Sequence, residues 1–477
     1  MMNTFERNFW SLYVDFLEAF SEVKYKGISI PYLCHFRSLF TNHHELKQNL
    51  SSESFSQQLY QTVQDKKLFQ QRFTEFKKMH TNNKVKRKAN GKVALYNAAN
   101  LLRFPIEITK KHFKPEHSFV IRDIRGKTTS PRPITAEGLP AYFLIDYDES
   151  IDHHVELIQK QVAGIIEKHK KHPLFGHPTF KEAFNAQVER IAHRIIESTN
   201  MIKKLPISCI VFSSTHYYQS RTLAIVAARH NIPTICMQHG IVGSENGYMP
   251  KIADVDAVYG HFEVDWFKSI GVADDGVKVI GHPRFDLINK EATITKETLT
   301  KKLGLDPKKK NILLIVRGNA YIKHWRKLLD EWDGHDQYNV IIKDFPAQTP
   351  HPLTENYDFA VSSKGYHLYT LLPHVDVVVA YLSTVGLEAM IAGKPVFLLS
   401  IPAPTYSGYY DRLGQMVQKE PVGLANLVNR YFVSEKFRAK ESSKRKKFLA
   451  YAYPNVKSSG QRLIELIAEM TKGQGKA

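Results

Sequence analysis

Hydrophobic side chains recur at two different spacings along this chain, and the two spacings predict different elements. Over residues 1–110 they return every three or four positions, as in Phe9, Leu12 and Phe16. That spacing predicts helices with one apolar face, and we interpret the face as core packing. A stripe that lies against a membrane is the alternative.

Short apolar runs that predict buried strands are distributed over the rest of the chain. They are Ser118–Asp123, Tyr142–Asp146, Ile207–Ser213, Thr234–Gly240, Asp256–Tyr259, Val277–Gly281, Asn311–Arg317, Tyr338–Lys343, Val375–Ala380 and Val396–Leu399. Helical patterns lie between several of them, over 151–200 and Gln219–His230, and a last helix is predicted over Ser459–Lys472. This alternation predicts parallel, doubly wound sheets.

A chain of 477 residues is too long for one ordinary core, so we predict two domains. The predicted fold is α/β, with two Rossmann-like domains and an α-helical N-terminal addition. The predicted parts are the addition at 1–110, the N-terminal domain at 111–275, the C-terminal domain at 276–455, and a C-terminal helix at 456–477 that packs back on the domains. Ligands in such folds bind at the carboxyl ends of strands, here in the cleft between the domains.

The stretch from Asp376 to Ser400 predicts one βαβ unit with a polar turn after its first strand. Ser383 and Thr384 fall at the start of the helix, where amides and short hydroxyls bind a phosphate. Glu388 follows one turn deeper on the same face and could bond ribose hydroxyls. The alternative is structural, with Ser383 as an N-cap and Glu388 in solvent.

Polar residues follow other predicted strands. His239, before Gly240, is a candidate general base or a hydrogen-bond donor to an acceptor. The remaining candidates, for contacts with a phosphorylated donor, are His282, Arg284, Arg317, Gly318 and Lys343. Structural roles are open for several of them: a histidine satisfied by the backbone for His239, a rigid interdomain turn for His282 and Arg284, and a surface cation for Lys343.

The net charge of +19 indicates an anionic partner, which could be nucleic acid, a membrane surface or an anionic substrate. Because zinc-finger, KH and RNP-like patterns are missing, no specific nucleic acid is expected. The sequence has neither a Walker loop nor a Gly-x-Gly-x-x-Gly loop after a strand. This argues against a nucleoside-triphosphate hydrolase and against a simple dehydrogenase. Asp146 and Asp148 have the spacing of a metal-binding pair but lie far from the donor-like half, so no metal site is predicted.

Location can also be predicted from the sequence. The three cysteines, Cys34, Cys209 and Cys236, are far apart, which is typical of buried thiols in a reducing compartment. Neither a secretory signal nor an apolar run long enough to span a bilayer is apparent. We therefore expect a cytoplasmic protein, with a peripheral position on the inner face of an anionic membrane as a further expectation.

The order of four motifs resembles GT-B glycosyltransferases. The motifs are Gln238–Gly240, Ala253–Gly260, Gly281–Asp286 and Ser383–Val396. Within that superfamily the chain is similar to the capsule polysaccharide synthesis enzymes and the CDP-glycerol glycerophosphotransferases of teichoic acid assembly, over roughly 205–470. The resemblance implies metal-independent, inverting-type transfer from a nucleotide-activated donor. It makes the N-terminal domain the acceptor domain and the C-terminal domain the nucleotide-donor domain.

The resemblance also implies roles for residues. His239 would be the base, and the Ser383, Thr384 and Glu388 element would bind the donor. The glycerophosphotransferases often have Lys-x-His-Pro where this chain has Lys343 followed by Asp-Phe-Pro. That departure favours a sugar nucleotide, linked to CMP, CDP or UDP, over a glycerophosphate donor; the nucleotide-sugar is a substrate, and no cofactor is expected.

The predicted activity is a glycosyltransferase that builds a cell-surface polysaccharide or related glycan on a glycan or lipid-linked acceptor. Three alternatives stay open: a CDP-glycerol-type glycerophosphotransferase, an enzyme like the sugar-nucleotide 2-epimerases, and a non-catalytic basic scaffold that binds an anionic polymer. An epimerase would turn over its donor without an acceptor, and a scaffold would show strongly salt-dependent binding. The sugar, the base, the acceptor, the stereochemical outcome and the oligomeric state stay open.

Overall fold

A helical N-terminal layer and two parallel sheets make up the fold. A computed structural model of the protein describes residues 2–85, 91–96, 104–124, 135, 138–288, 294–344, 351–454 and 458–472. None of the helices in these ranges combines the length and the apolar character that crossing a bilayer requires.

The N-terminal layer is held together by aromatic side chains. Its elements are α1 Thr4–Ala19, β1 Lys24–Tyr25, β2 Ile28–Ser29, α2 His44–Asn49 and α3 Lys66–His80. Asn3 and Glu6 form a capping box that starts α1. The predicted stripe of α1 is buried, and Phe16 contacts Phe184 of the next domain with ring centroids 5.1 Å apart. The predicted core role of the stripe is confirmed.

The first sheet has seven parallel strands. In chain order the elements are β3 Lys92–Tyr96, α4 Ile106–His112, β4 Ser118–Arg122, β5 Ala141–Phe143, α5 Asp152–Lys168, α6 Pro178–Lys204, β6 Ile207–Phe212, α7 Tyr218–Arg229, β7 Thr234–Met237, β8 Val255–Val258, α8 His261–Ser269 and β9 Val277–Val279. The spatial order is β5-β4-β3-β6-β7-β8-β9, so the direction of winding reverses between β3 and β6. Such a reversal opens a crevice at the carboxyl ends of the two strands.

The second sheet has six parallel strands and the same kind of reversal. Its elements are α9 Lys296–Leu303, β10 Lys310–Ile315, α10 Ile322–Asp330, β11 Tyr338–Lys343, α11 Leu353–Asn356, β12 Ala360–Ser362, α12 Leu368–Leu371, β13 Val377–Tyr381, α13 Thr384–Ile391, β14 Val396–Leu399, β15 Val417–Gln418, α14 Pro421–Val433, α15 Glu435–Ala452 and α16 Ser459–Lys472. The order β12-β11-β10-β13-β14-β15 reverses between β10 and β13. The predicted fold class, two Rossmann-like domains with a helical addition, is confirmed.

The division between these parts differs from the predicted one at two strands. β3 lies within the predicted helical addition, yet it is a central strand of the first sheet and pairs with β4 and β6. β9, predicted to open the second domain, is the edge strand of the first sheet and pairs with β8. An apolar run predicts a strand but carries no information about its partner, because pairing is decided by contacts far along the chain.

The last helix returns to the first domain. Leu463, Leu466 and Ile467 of α16 are buried in one cluster with apolar residues of the first sheet, such as Val211. Asp286 starts this helix, because its carboxylate accepts the N–H groups of Ser459 and Gly460 at 2.9 and 3.0 Å. The Gly281–Asp286 motif therefore ties the C-terminal helix to the junction of the domains.

Candidate active site

The carboxyl ends of the second sheet present most of the predicted donor residues at one edge. Ile315 of β10 pairs with Lys343 of β11 and with Ala380 of β13, so the three strands end level with one another. Arg317 and Gly318 follow the first of these strands, and Ser383 follows the third. The structure thus brings these residues to the point where the winding reverses, the usual ligand position in such a sheet.

The turn after β10 is held by polar contacts. Gly318 has a φ of +48°, a conformation that favours glycine. Its N–H donates to the Asp344 carboxylate at 2.7 Å, and its carbonyl accepts from His351 Nε2 at 2.6 Å. The side chain of Arg317 is exposed above this turn. Lys343 Nζ donates to the Tyr366 carbonyl at 2.5 Å, and partial burial lowers the pKa of Lys343.

The N-terminus of α13 has no side-chain cap. Ser383 occupies the N-cap position but makes no capping hydrogen bond, and its Oγ is buried without a partner among the described residues. The Ser383 carbonyl instead accepts from Tyr410 Oη at 2.6 Å. The structural alternative, a Ser383 that caps its own helix, is not what the structure shows. In this first turn the Gly386 N–H donates to the Ser383 carbonyl at 3.2 Å, so the hydrogen-bonding capacity left for an anion is that of the Thr384 and Val385 amides.

Glu388 lies one turn further along α13 and is buried rather than solvated. Its Oε1 accepts from Arg284 Nη2 at 2.9 Å, and its Oε2 accepts from Tyr369 Oη at 2.6 Å. The side chains of Glu388 and Arg284 are 7% and 12% exposed, so this is a nearly buried ion pair. Each carboxylate oxygen keeps a second acceptor position, which a ribose hydroxyl could use.

The sequence prediction missed two residues beside this pair, His367 and Tyr369. Burial lowers the pKa of His367, and the nearby charges of Lys343 and Arg284 lower it further, against the opposing effect of Glu388. Lys343, Arg284, Glu388 and His367 therefore form one cluster. Both missed residues follow β12, a strand of only three residues that the apolar pattern did not reveal.

His282 does not join this cluster. It is 3% exposed, and its Nδ1 accepts the backbone N–H of Arg284 at 3.1 Å. Its ring lies against Phe104, Tyr259 and Phe285. His282 thus caps the turn that carries Arg284, and its predicted donor contact stays a prediction.

His239 lies on the loop after β7, which contacts this edge from the other domain. Its ring stacks on Tyr248, with centroids 4.8 Å apart and planes at 7°. Two residues on, the N–H of Ile241 donates to Thr384 Oγ1 at 3.1 Å. A Cβ at position 240 would lie 3.0 Å from the same hydroxyl oxygen, so Gly240 permits the close approach. The loop that carries the candidate base and the uncapped helix terminus thus contact each other across the domain boundary.

The His239 loop is fixed by a buried hydrogen-bond network. Gln238 Nε2 donates to the Gly240 carbonyl and to Glu263 Oε1, both at 2.7 Å. Gln238 Oε1 accepts from the Tyr259 N–H at 2.8 Å. Burial raises the pKa of Glu263 to about 8, partly offset by its hydrogen bonds to Gln238 and Gly260. We interpret Gln238 and Glu263 as positioning residues for His239.

Glu263→Gln is expected to flatten the pH dependence of stability. Since the pKa of Glu263 is raised above its unfolded value, its contribution is fully present below pH 4.5 and is lost as pH rises through about 8. The wild-type free energy of unfolding should fall between pH 5.5 and 8.5 by up to about 1.4 kcal/mol per pH unit. Urea denaturation at both pH values measures the slope.

Glu156→Gln, which changes an exposed carboxyl on α5, is the control and should keep the wild-type slope. A Glu263→Gln protein with the same slope as the wild type would show that Glu263 is not the titrating group.

No group of three or more His, Cys, Asp or Glu side chains in the described ranges is arranged to hold a metal ion. Of the Asp146 and Asp148 pair, Asp148 contacts His193 Nδ1 at 2.9 Å.

Comparison with known families agrees with part of this picture. Residues 332–412 match the model of a family described as capsule polysaccharide biosynthesis protein. The match covers Lys343, His367, Ser383, Thr384 and Glu388. It confirms the predicted resemblance to capsule polysaccharide synthesis enzymes and supports the predicted enzyme class, a glycosyltransferase. No curated protein matches the sequence.

Several solved structures are similar in overall shape. HepE from Anabaena, in complex with UDP and glucose, is 14% identical with a TM-score of 0.48, over 79% of this chain and 99% of that one. A variant of the wall teichoic acid polymerase TagF is 14% identical with a TM-score of 0.47, over 93% and 99%. A UDP-N-acetylglucosamine 2-epimerase is 13% identical with a TM-score of 0.48, over 82% and 99%. At this level of similarity, none of the three decides the function of this chain.

Proposed function

We propose that this protein is a metal-independent glycosyltransferase that moves a sugar from a nucleotide donor to an acceptor hydroxyl, in the assembly of a cell-surface polysaccharide. The observation that carries the proposal is the contact between the loop that carries His239 and the N-terminus of α13, made by the hydrogen bond from Ile241 to Thr384. One domain supplies a group that can take a proton, and the other supplies an anion-binding helix end.

The donor lies on the second sheet. Its phosphates contact the Thr384 and Val385 amides of α13 and the Ser383 hydroxyl, with Lys343 and Arg317 at the neighbouring strand ends. The ribose hydroxyls use the remaining acceptor positions of Glu388. Fixed positive charge at this edge stabilises the negative charge that develops on the departing phosphate. These cations and the helix dipole supply the stabilisation that a divalent metal ion supplies in other transferases.

His239 acts on the acceptor. It takes the proton of the acceptor hydroxyl while that oxygen forms a bond to the anomeric carbon of the donor sugar. The bond from that carbon to the phosphate oxygen breaks, and the electron pair leaves with the nucleotide. Stacking on Tyr248 and the network through Gln238 keep the imidazole oriented, so little reorganisation precedes the proton transfer.

The protein works in the cytoplasm at the inner face of an anionic membrane. Support comes from the net charge of +19 and from exposed lysines such as Lys446 and Lys447 on α15. Each basic residue near an anionic surface contributes about 1 kcal/mol of attraction. Lipid vesicles with and without anionic lipid, tested in a sedimentation assay at low and high salt, would show whether this attraction binds the protein.

Nucleotide binding tests the donor site. Thermal unfolding is followed with CMP, CDP, UDP, GDP, ADP and dTDP at low and high salt. One base should stabilise the protein selectively, by about 2.7 kcal/mol at a hundred times its dissociation constant. Ser383→Ala should reduce this stabilisation, whereas Ser269→Ala, a hydroxyl on α8 away from the site, should not.

The same panel distinguishes the alternatives. Weak stabilisation by every nucleotide, present only at low salt, would favour the basic scaffold and contradict the proposal. Selective binding of a cytidine nucleotide with transfer of glycerophosphate would favour the glycerophosphotransferase. Turnover of a nucleotide-sugar without any acceptor would favour an epimerase.

A further inference from the structure

Asp123 is a carboxylate at the edge of the first sheet that the proposed mechanism does not use. It follows β4, one strand away from the point where the winding reverses, and its side chain is 27% exposed. Its Oδ1 accepts from Tyr96 Oη at 2.6 Å and from Arg194 Nη1 at 2.7 Å. Within the described ranges no hydrogen bond reaches its Oδ2, so that oxygen keeps its acceptor positions for a ligand.

Arg194 fixes the position of this carboxylate. The arginine side chain is 8% exposed, and its Nε contacts Glu197 Oε2 at 3.1 Å, one turn along α6. One guanidinium thus faces two carboxylates, so the cluster has no positive charge to spare for an anion. A sugar hydroxyl needs an acceptor and carries no charge, and it is therefore the group that Asp123 suits.

Tyr217 supplies an aromatic surface on the same edge. It follows β6, occupies the N-cap position of α7 and is 47% exposed. The rings of His35 and His216 contact it, with centroids 5.0 and 5.3 Å away, so it is held in place although nearly half of its surface is exposed. A tyrosine presents a flat apolar ring with a polar end, a combination that suits the apolar face of a sugar.

Tyr218 connects the aromatic surface with the carboxylate. Burial raises the pKa of Tyr218, and the charges of Arg194 and Asp123 act on it in opposite directions. The Tyr218 side chain therefore lies beside this ion pair, and its neighbour in the chain is Tyr217. The two exposed groups, Asp123 and Tyr217, thus lie close to one another along the edge.

The same edge leads to the candidate base. The strands β4, β3, β6 and β7 are paired in that order and end level, as the pairs of Tyr96 with Phe212 and of Phe212 with Cys236 show. Asp123 follows the first of these strands, and His239 follows the last. With strands about 4.8 Å apart, the two strand ends are about 14 Å apart. A saccharide that contacts both must contain more than one sugar ring.

We propose that this edge, from Asp123 past Tyr217 to His239, is the acceptor site and that it binds an uncharged oligosaccharide. Asp123 accepts hydrogen bonds from the hydroxyls of a sugar remote from the reacting end, and the Tyr217 ring contacts the apolar face of a sugar nearer to that end. The reacting hydroxyl then lies at His239. The role as acceptor site rests on the transferase function proposed above; binding of an uncharged oligosaccharide does not.

An array of immobilised neutral and acidic glycans of increasing length, probed with the labelled full chain, tests the proposal. We expect neutral oligosaccharides to bind at least tenfold more tightly than single sugars and than acidic glycans of the same length. Tyr217→Ala should weaken this binding at least tenfold, and Tyr217→Phe should keep it, because the ring makes the contact. Tyr60→Ala removes another exposed tyrosine, 53% exposed, and is the control that should bind as the wild type does.

Asp123→Asn offers a second, independent variant, because it removes the charge and keeps the size of the side chain. It should weaken neutral oligosaccharides about tenfold, since a carboxylate accepts stronger hydrogen bonds than an amide. Thermal unfolding without ligand checks that the variant is folded. Arg190→Gln removes an exposed cation whose charge also acts on Tyr218, the group that an acidic glycan would use, and should leave the binding of neutral oligosaccharides unchanged.

Preferential binding of acidic glycans, the absence of any bound neutral oligosaccharide, or unchanged binding in both Tyr217→Ala and Asp123→Asn would overturn the proposal. Nucleotide stabilisation, measured on the same proteins, separates it from the transferase function. A wild type that binds a nucleotide but no neutral oligosaccharide would remove this acceptor site and keep the transferase function. A wild type that binds neutral oligosaccharides through Tyr217 without any response to nucleotides would do the reverse.

Discussion

Replacement of His239 by asparagine is expected to lower the rate of sugar transfer by about 10²–10⁴-fold, the usual contribution of a positioned general base. Asparagine keeps a polar side chain of similar size beside Tyr248 but cannot take a proton at neutral pH. Because the predicted donor contacts all belong to the second domain, the nucleotide should stabilise His239→Asn as much as the wild type. Single-turnover transfer and thermal unfolding with nucleotide measure the two effects separately.

The matched control is His261→Asn, an exposed histidine at the start of α8 in the same domain. It should transfer sugar at the wild-type rate. The pH profile supplies a further readout, since loss of the base should remove the limb at which transfer rises with pH. A His239→Asn enzyme that transfers within threefold of the wild type would rule out His239 as the base.

Part of this site could be predicted from the sequence because parallel sheets place the ends of their strands at one edge. Once Tyr338–Lys343 and the strand before Ser383 were predicted, their polar ends were expected to meet. Periodicity in the same way predicted α1 and α16, whose apolar stripes are buried. For these residues, the local sequence pattern alone is enough to predict their place in the fold.

The rest depends on contacts between distant segments, which no local pattern contains. Glu388 pairs with Arg284, 104 positions earlier in the chain, so a residue predicted to be open to ribose is already engaged. His282 has the right residue type at a strand end, but its ring is packed against aromatic side chains. The Lys66 contact with Glu245 joins a segment without a recognisable motif to the loop of the candidate base.

Removal of the Glu388 carboxylate is expected to give the largest loss of stability. Glu388→Ala leaves Arg284 buried without its partner, and breaking a buried ion pair in this way costs about 3–5 kcal/mol. Tyr369→Phe, the matched control, removes only the hydroxyl that donates to Glu388 and should cost about 1.5–3 kcal/mol, as for a hydrogen bond to a charged group. Urea denaturation of the three proteins gives these differences; a loss below 1 kcal/mol for Glu388→Ala would contradict the prediction.

The double variant Arg284→Met with Glu388→Leu then separates the structural role of Glu388 from its proposed role in binding. Replacing both charges with apolar side chains of similar size removes the uncompensated cation, so most of the lost stability should return. If Glu388 also holds the ribose, nucleotide stabilisation should be absent in this variant, because leucine cannot accept the hydroxyl hydrogen bonds. Recovery of both stability and nucleotide binding would instead show that the pair serves only to fix α13 against the turn that follows β9.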